Sequence, residues 1–182
     1  MRECLNLLEY IQVPTHVIRH SWTVCGVALY LARRFCELGL ELNLELIRAA
    51  ALLHDITKQF SFNRPLDHAL TGAKLLKKIG YPQIGSIVRQ HVRISVARPP
   101  GRISEVEIVN YADKRVLEDQ ITTLDKRLEY ILKRYGRTSE GQELIKENMA
   151  MISSLEIEIF SFLASNPSDL MNIDVEKECN LT

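Results

Sequence analysis

Apolar residues recur along this chain at intervals of three and four, the spacing of helices that bury one face. The pattern predicts a short helix over 2–11, a break at "VPTH", and a long helix over 15–37 closed near Gly39. A segment over 43–56 is apolar nearly all round and reads as the central helix. After a loop, "KQFSFNRP", a helix opens at Pro65 or Leu66 and runs to about 79, where "GYP" stops it. Pro82 suits the first turn of the next helix, to about 95, and "ARPPGRI" is a second loop. Ser104 and Glu107 have capping-box spacing and start a helix to about 119. "TTLDKRLEYILKRYG" is amphipathic with Gly136 as its C-cap. The last long helix carries the stripe Leu144, Met149, Ile152, Leu155, Ile159 and Phe162. No strand alternation persists anywhere and no repeat appears.

The fold class is therefore all-α, a single-domain irregular helical bundle. Residues 1–136 form the core. Residues 137–165 form a long C-terminal helix, packed on that core or presenting a dimer face. Residues 166–182 read as a loose tail.

Composition narrows the function classes. Of 182 residues, 46% are hydrophobic and 25% charged, as in ordinary globular proteins. Lys+Arg and Asp+Glu balance at 23 each, so no net field favours nucleic acid or an acidic membrane surface. No apolar run approaches the roughly 20 residues of a membrane span, and "MRECLNLLEY" lacks the apolar centre of a signal peptide. Cys4, Cys25, Cys36 and Cys179 form no CxxC pair and read as reduced thiols of a cytoplasmic protein.

Chemistry enters where the apolar pattern is broken. In "AALLHDITK", residues 50–58, His54 and Asp55 stand side by side at the inner end of the most apolar segment. His20 falls on the row Val17, Val24, Val27, Leu31; His68 aligns with Gly72, Leu75 and Ile79; His91 continues Ile84, Ile87 and Val88. Asp113 continues Val106, Val109 and Asn110. A single inward histidine is ordinarily a satisfied core residue, and an inward aspartate a cap or ion-pair partner. Four histidines and two aspartates on five helices, all aimed at one core, describe a shared polar pocket instead. A divalent cation satisfies neutral imidazoles and carboxylates together, and this donor set suits iron, manganese, zinc or nickel. Asp55 has two oxygens and can bridge two ions.

The order His20, His54-Asp55, Asp113, in the contexts "HVIRHSWTVCGVALYLA", "AALLHDITK" and "YADKRV", resembles the HD-domain metal-dependent phosphohydrolases over about residues 10–135. His68 in "DHALTGAKLL" and His91 in "IVRQHV" match the further histidines of two-metal members. The arrangement is most similar to the predicted HD hydrolases that include the symmetrical diadenosine tetraphosphate hydrolases. It departs from these at Val92, where they usually carry threonine, and at Lys114-Arg115.

The resemblance implies a phosphohydrolase that cleaves a phosphoester or phosphoanhydride of a nucleotide-type substrate by a metal-bridged hydroxide. It implies two divalent ions, iron or manganese first, with nickel, zinc or magnesium as alternatives. His20, His54 and Asp113 would hold one ion, His68 and His91 the other, and Asp55 would bridge them. Lys58, three residues after Asp55, is the candidate to hold a phosphate oxygen, so Asp55 and Lys58 form the catalytic pair. Arg93 and Arg115, each two residues beyond a ligand, are rim candidates for substrate binding, weighed against solvated surface arginines. Asp67 reads as a helix cap and His16 as an exposed histidine. The expected partner is a small phosphorylated molecule, with no nucleic acid, no membrane and a homodimer as an option. The alternatives are a one-metal nucleotidase of the same superfamily and a nucleotide-binding regulatory module without turnover.

Overall fold

The structure, a computed structural model, describes residues 1–62, 66–94 and 102–180. Helices α1 (Arg2–Tyr10), α2 (Thr15–Glu37) and α3 (Leu44–Leu53) come first. They are followed by α4 (His68–Lys78), α5 (Pro82–Val88) and α6 (Glu105–Lys114), then α7 (Leu124–Tyr135), α8 (Ser139–Leu163) and α9 (Val175–Asn180). Pro65 and most of "ARPPGRI" lie outside the described residues, and Leu66, the other expected opening, precedes the helix, which starts at His68.

The core is built on α2 and α3. The two helices pack on each other, and Val24, Val27, Ala28 and Leu31 of α2 and Ile47, Ala50, Ala51 and Leu52 of α3 are all fully buried. The small side chains let the two helices approach closely, and α6 lies against both. Caps set the starts. The Ser104 hydroxyl accepts from the Glu107 amide while the Glu107 carboxylate takes the Ser104 amide, the expected capping box. Asp67 caps α4 by accepting from the Leu70 amide at 2.9 Å, also as expected.

Three helices end earlier than their periodicity suggests, and each early end serves the site. The central helix stops at Leu53, not 56, and tight turns (Ile56 N to Leu53 O, Lys58 N to Asp55 O) follow into a 3₁₀ turn over Lys58–Ser61. The helix from Pro82 stops at Val88, so that His91 lies beyond it. The helix from Glu105 stops at Lys114, not 119. A two-stranded antiparallel hairpin follows, β1 (Val116–Leu117) and β2 (Gln120–Ile121), joined by Glu118 and Asp119. Arg115 caps the helix, and Glu118 takes a left-handed conformation, φ 56°, in the turn that reverses the chain between the two strands. Two-residue strands are too short to leave an alternation in the sequence.

The stripe read for α8 is partly corrected. Met149, Ile152, Leu155 and Ile159 are buried as expected, but Leu144 and Phe162 are exposed, and Phe160 and Leu163 take the inward places. The loose tail is also corrected. A 3₁₀ turn over Pro167–Asn172 and α9 fold back onto the bundle, and Leu170 and Cys179 are fully buried. Polar groups on α2 and α3 supply the reason. Arg33 pairs with the Glu178 carboxylate and backbone, Arg48 donates to the Cys179 carbonyl, and Trp22 Nε1 donates to Glu176 at 3.0 Å. Among the described residues no helix is long and apolar enough to cross a membrane.

Candidate metal centre

The early helix ends bring six polar side chains to one buried point. α2 supplies His20 from its inner face. The turn after α3 supplies His54 and Asp55. α4 supplies its first residue, His68, the turn after α5 supplies His91, and the last turn of α6 supplies Asp113. All but His68 are buried.

Asp113 Oδ1 lies 3.1 Å from His20 Nε2 and 3.7 Å from His54 Nε2. Asp55 stands between two groups, with Oδ2 3.4 Å from His54 Nε2 and Oδ1 3.2 Å from His68 Nε2 and 3.4 Å from His91 Nε2. His68 Nε2 and His91 Nε2 are 3.1 Å apart. The donors of His20, His54 and Asp113, and those of His54, Asp55 and His91, each fall within 4.8 Å of one another.

Backbone carbonyls decide which way the rings face. His54 Nδ1 donates to Ala51 O and His91 Nδ1 to Val88 O, each at 2.7 Å and each a carbonyl in the last turn of the preceding helix. His20 Nδ1 donates to Glu118 O at 2.6 Å. A carbonyl only accepts, so Nδ1 carries the hydrogen, and in the neutral ring Nε2 holds the lone pair. Three lone pairs therefore converge on carboxylate oxygens, and such pairs repel unless a cation lies between them. His54 Nε2 and Asp55 Oδ1 are buried without a hydrogen-bond partner among the described residues. Two orphaned acceptors in a buried site, ringed by oriented imidazoles, fit a divalent metal ion.

The electrostatics agree with this demand for positive charge. Burial pushes the His54 imidazole down, but Asp55 and Asp113 outweigh it and hold it above the ordinary histidine value. Burial dominates at His91, whose pKa is pushed down to about 4. Both aspartates stay well below the usual carboxylate range despite burial, Asp55 through Lys58 and His54, Asp113 through Lys114, His20 and Arg127.

The structure places the predicted cations unequally. Lys58 reaches the site and donates from Nζ to Asp55 Oδ2 at 2.8 Å. Arg93 is exposed. Arg115 is a correction, neither a rim residue nor a solvated one. It is 1% exposed, and its guanidinium donates to Thr122 O, the Tyr111 hydroxyl, Glu156 and Pro167 O, joining α6 to α8 and the tail. His16 is exposed as expected and stacks on Phe62.

Two cations at the site were not anticipated. Lys114 Nζ donates to Asp113 Oδ2 at 2.6 Å and to His91 O at 2.8 Å, and Arg127 Nη2 lies 3.6 Å from Asp113 Oδ1. The only sequence signal for Lys114 was its adjacency to Asp113. Arg127 stands at the edge of the apolar row Leu124, Leu128 and Ile131 of an amphipathic helix, a weak signal that by itself names no partner.

A family model described as the HD domain matches residues 17–117, more than half of the chain. The chain belongs to the HD-domain family. HD-domain proteins are metal-dependent, and the matched segment contains all six converging side chains but not Arg127. The chain is 27% identical over 148 residues to an uncharacterised protein of Methanocaldococcus jannaschii, covering 74% of this chain and 86% of that one. It is 31% identical over 141 residues to a tRNA (cytidine(56)-2'-O)-methyltransferase of Picrophilus torridus, covering 70% of this chain and 39% of the methyltransferase. The same fold occurs in a crystal structure of a predicted HD superfamily hydrolase from an uncultured Thermotogales bacterium. The TM-score is 0.50 at 20% identity, over 88% of this chain and 91% of that one. HD-domain membership makes the chain a metal-dependent phosphohydrolase in general terms.

Proposed function

We propose that the protein hydrolyses a phosphoester or phosphoanhydride of a nucleotide-type substrate with two divalent metal ions. One observation carries the reading: Asp55 presents Oδ2 to His54 and its orphaned Oδ1 to His68 and His91, so a single carboxylate faces two sets of nitrogen donors. His20, His54 and Asp113 would hold one ion, His68 and His91 the second, with Asp55 shared. Iron or manganese suits this nitrogen and carboxylate set best. When bound, such ions supply Lewis acidity toward a phosphoryl oxygen and lower the pKa of water.

The chain's own residues do the positioning. Ala51, Val88 and Glu118 fix three imidazoles through their carbonyls, so the ligands are aimed before any ion arrives. Asn110 Nδ2 donates to Gln90 O and His91 O and, with Lys114, holds the turn that carries His91. Lys58, with its side chain 28% exposed, is nearer solvent than Lys114 or Arg127 and would exchange Asp55 for a substrate phosphate oxygen.

A phosphatase panel on metal-loaded protein tests the reading. It should include nucleoside mono-, di- and triphosphates, dinucleoside polyphosphates and cyclic nucleotides, with phosphorylated RNA ends added because of the relative named as a tRNA methyltransferase. His54→Ala and Asp55→Ala should abolish turnover of any substrate found while circular dichroism keeps its helical signal. Inactivity of the loaded wild type across the panel would favour a nucleotide-binding module without turnover. Full loading at one ion per chain would favour the one-metal nucleotidase.

A further inference from the structure

The metal centre holds more positive charge than its ligands call for. Lys58 pairs with Asp55, and Lys114 and Arg127 both face Asp113. Among the described residues, Lys58 and Arg127 alone balance the two carboxylates, and Lys114 adds a third cation. A site built only to hold cations is ordinarily left negative, because each added positive charge opposes the incoming ion.

Arg127 is the least employed of the three. Lys114 spends its ammonium on Asp113 Oδ2 and His91 O at short distances. Arg127, from the first turns of α7, has a side chain only 12% exposed. Its Nε–H is buried without a hydrogen-bond partner among the described residues, and its contact with Asp113 is a long 3.6 Å. A guanidinium has five donors in a planar fork, and a buried one left idle is costly. The oxygen it approaches, Asp113 Oδ1, is the one facing His20 and His54, whereas Lys114 takes the far oxygen. The fork therefore borders the ion position rather than the back of the ligand.

We infer that Arg127 is the anion-binding half of this centre. Its guanidinium receives two oxygens of a phosphoryl group and so makes metal and phosphate binding mutually cooperative. The inference rests on the metal-centre reading above. Without an anion, Arg127 repels the incoming ions. With a phosphoryl group across ions and fork, the idle donors are satisfied and the repulsion is offset. Linkage makes the effect reciprocal, so phosphate must tighten metal binding by the factor with which metal tightens phosphate binding. A lysine would supply the charge without the two-pronged geometry.

The test is calorimetric titration of metal-free protein with Mn²⁺, with and without inorganic phosphate, and needs no turnover. Wild type should bind Mn²⁺ on the order of tenfold more tightly with phosphate present. Arg127→Met should bind Mn²⁺ at least as tightly as wild type without phosphate, and phosphate should no longer change it. Arg127→Lys should keep the wild-type fold and phosphate-free affinity and show a reduced phosphate effect. It decides the matter if Arg127→Met does not fold. A full phosphate effect in either variant, or none in a wild type that binds Mn²⁺, overturns the inference and leaves the metal centre standing. A wild type that binds no Mn²⁺ overturns the metal-centre reading, and the inference with it.

Discussion

His20 and Glu118, 98 residues apart, are joined by a hydrogen bond from the His20 Nδ1–H to the Glu118 carbonyl at 2.6 Å. The carbonyl is available because Glu118 sits at φ 56° in the hairpin turn, and Thr23 holds the same turn by donating to Asp119 O at 3.0 Å. A strained backbone outside the ligand set thus fixes the tautomer of a candidate ligand.

The first prediction follows from that pairing. The acceptor is backbone, so Glu118→Gly, which tolerates a positive φ, should keep wild-type metal affinity. Glu118→Pro cannot adopt this φ and should weaken Mn²⁺ binding by about 10–100-fold while helicity survives. Calorimetry on the two variants checks it, and equal affinity in both would mean that His20 needs no such support.

The second concerns the number of ions. In the double variant His68→Ala, His91→Ala, the His20, His54, Asp55 and Asp113 donors remain. Metal content by elemental analysis should fall by about one ion per chain without reaching zero, and activity should fall sharply. Unchanged stoichiometry and rate would make these two histidines core residues and return the one-metal reading.

The third concerns pH and metal-free protein. Burial lowers the His91 pKa from 6.5 to about 4, so the folded chain takes up this proton later than the unfolded chain. His91 therefore costs nothing above pH 6.5. Its destabilisation grows as pH falls from 6.5 toward 4, by up to about 3 kcal/mol. His54, with a raised pKa, has the opposite sign: its contribution is present below 6.5 and is lost as pH rises. Comparing wild type with His91→Gln by urea unfolding in chelator isolates the His91 part. The stability gap should move in favour of the variant on acidification, and a pH-independent gap would contradict the burial argument.

The fourth separates support from substrate binding at Arg115. Arg115→Met leaves Glu156 half-buried without its cation and should cost roughly 3 kcal/mol, or about 6–12 °C in Tm. A substrate-binding residue would instead raise KM and leave Tm in place, so thermal denaturation beside steady-state kinetics distinguishes the two.

By itself the sequence determined α1 to α8, apart from three of their ends, and the six converging side chains, because both leave a periodic trace. A helix buries every third or fourth residue, so His20, His54, Asp55, His68, His91 and Asp113 stood out as polar groups on apolar rows. The Ser104–Glu107 and Asp67 caps were legible for the same local reason, since their bonds span three residues. Tertiary structure alone decided the rest. The hairpin after Asp113 rests on one left-handed glutamate and strands of two residues, too short for any period to register. The tail docks through Arg33, Arg48 and Trp22, partners more than 130 residues away in sequence. Arg115 and Arg127 look alike in the sequence, two arginines near helix ends. The path of the chain buries one among Tyr111, Glu156 and Pro167 and brings the other beside Asp113, because the direction in which a long side chain finds its partner is set by the elements that close around it.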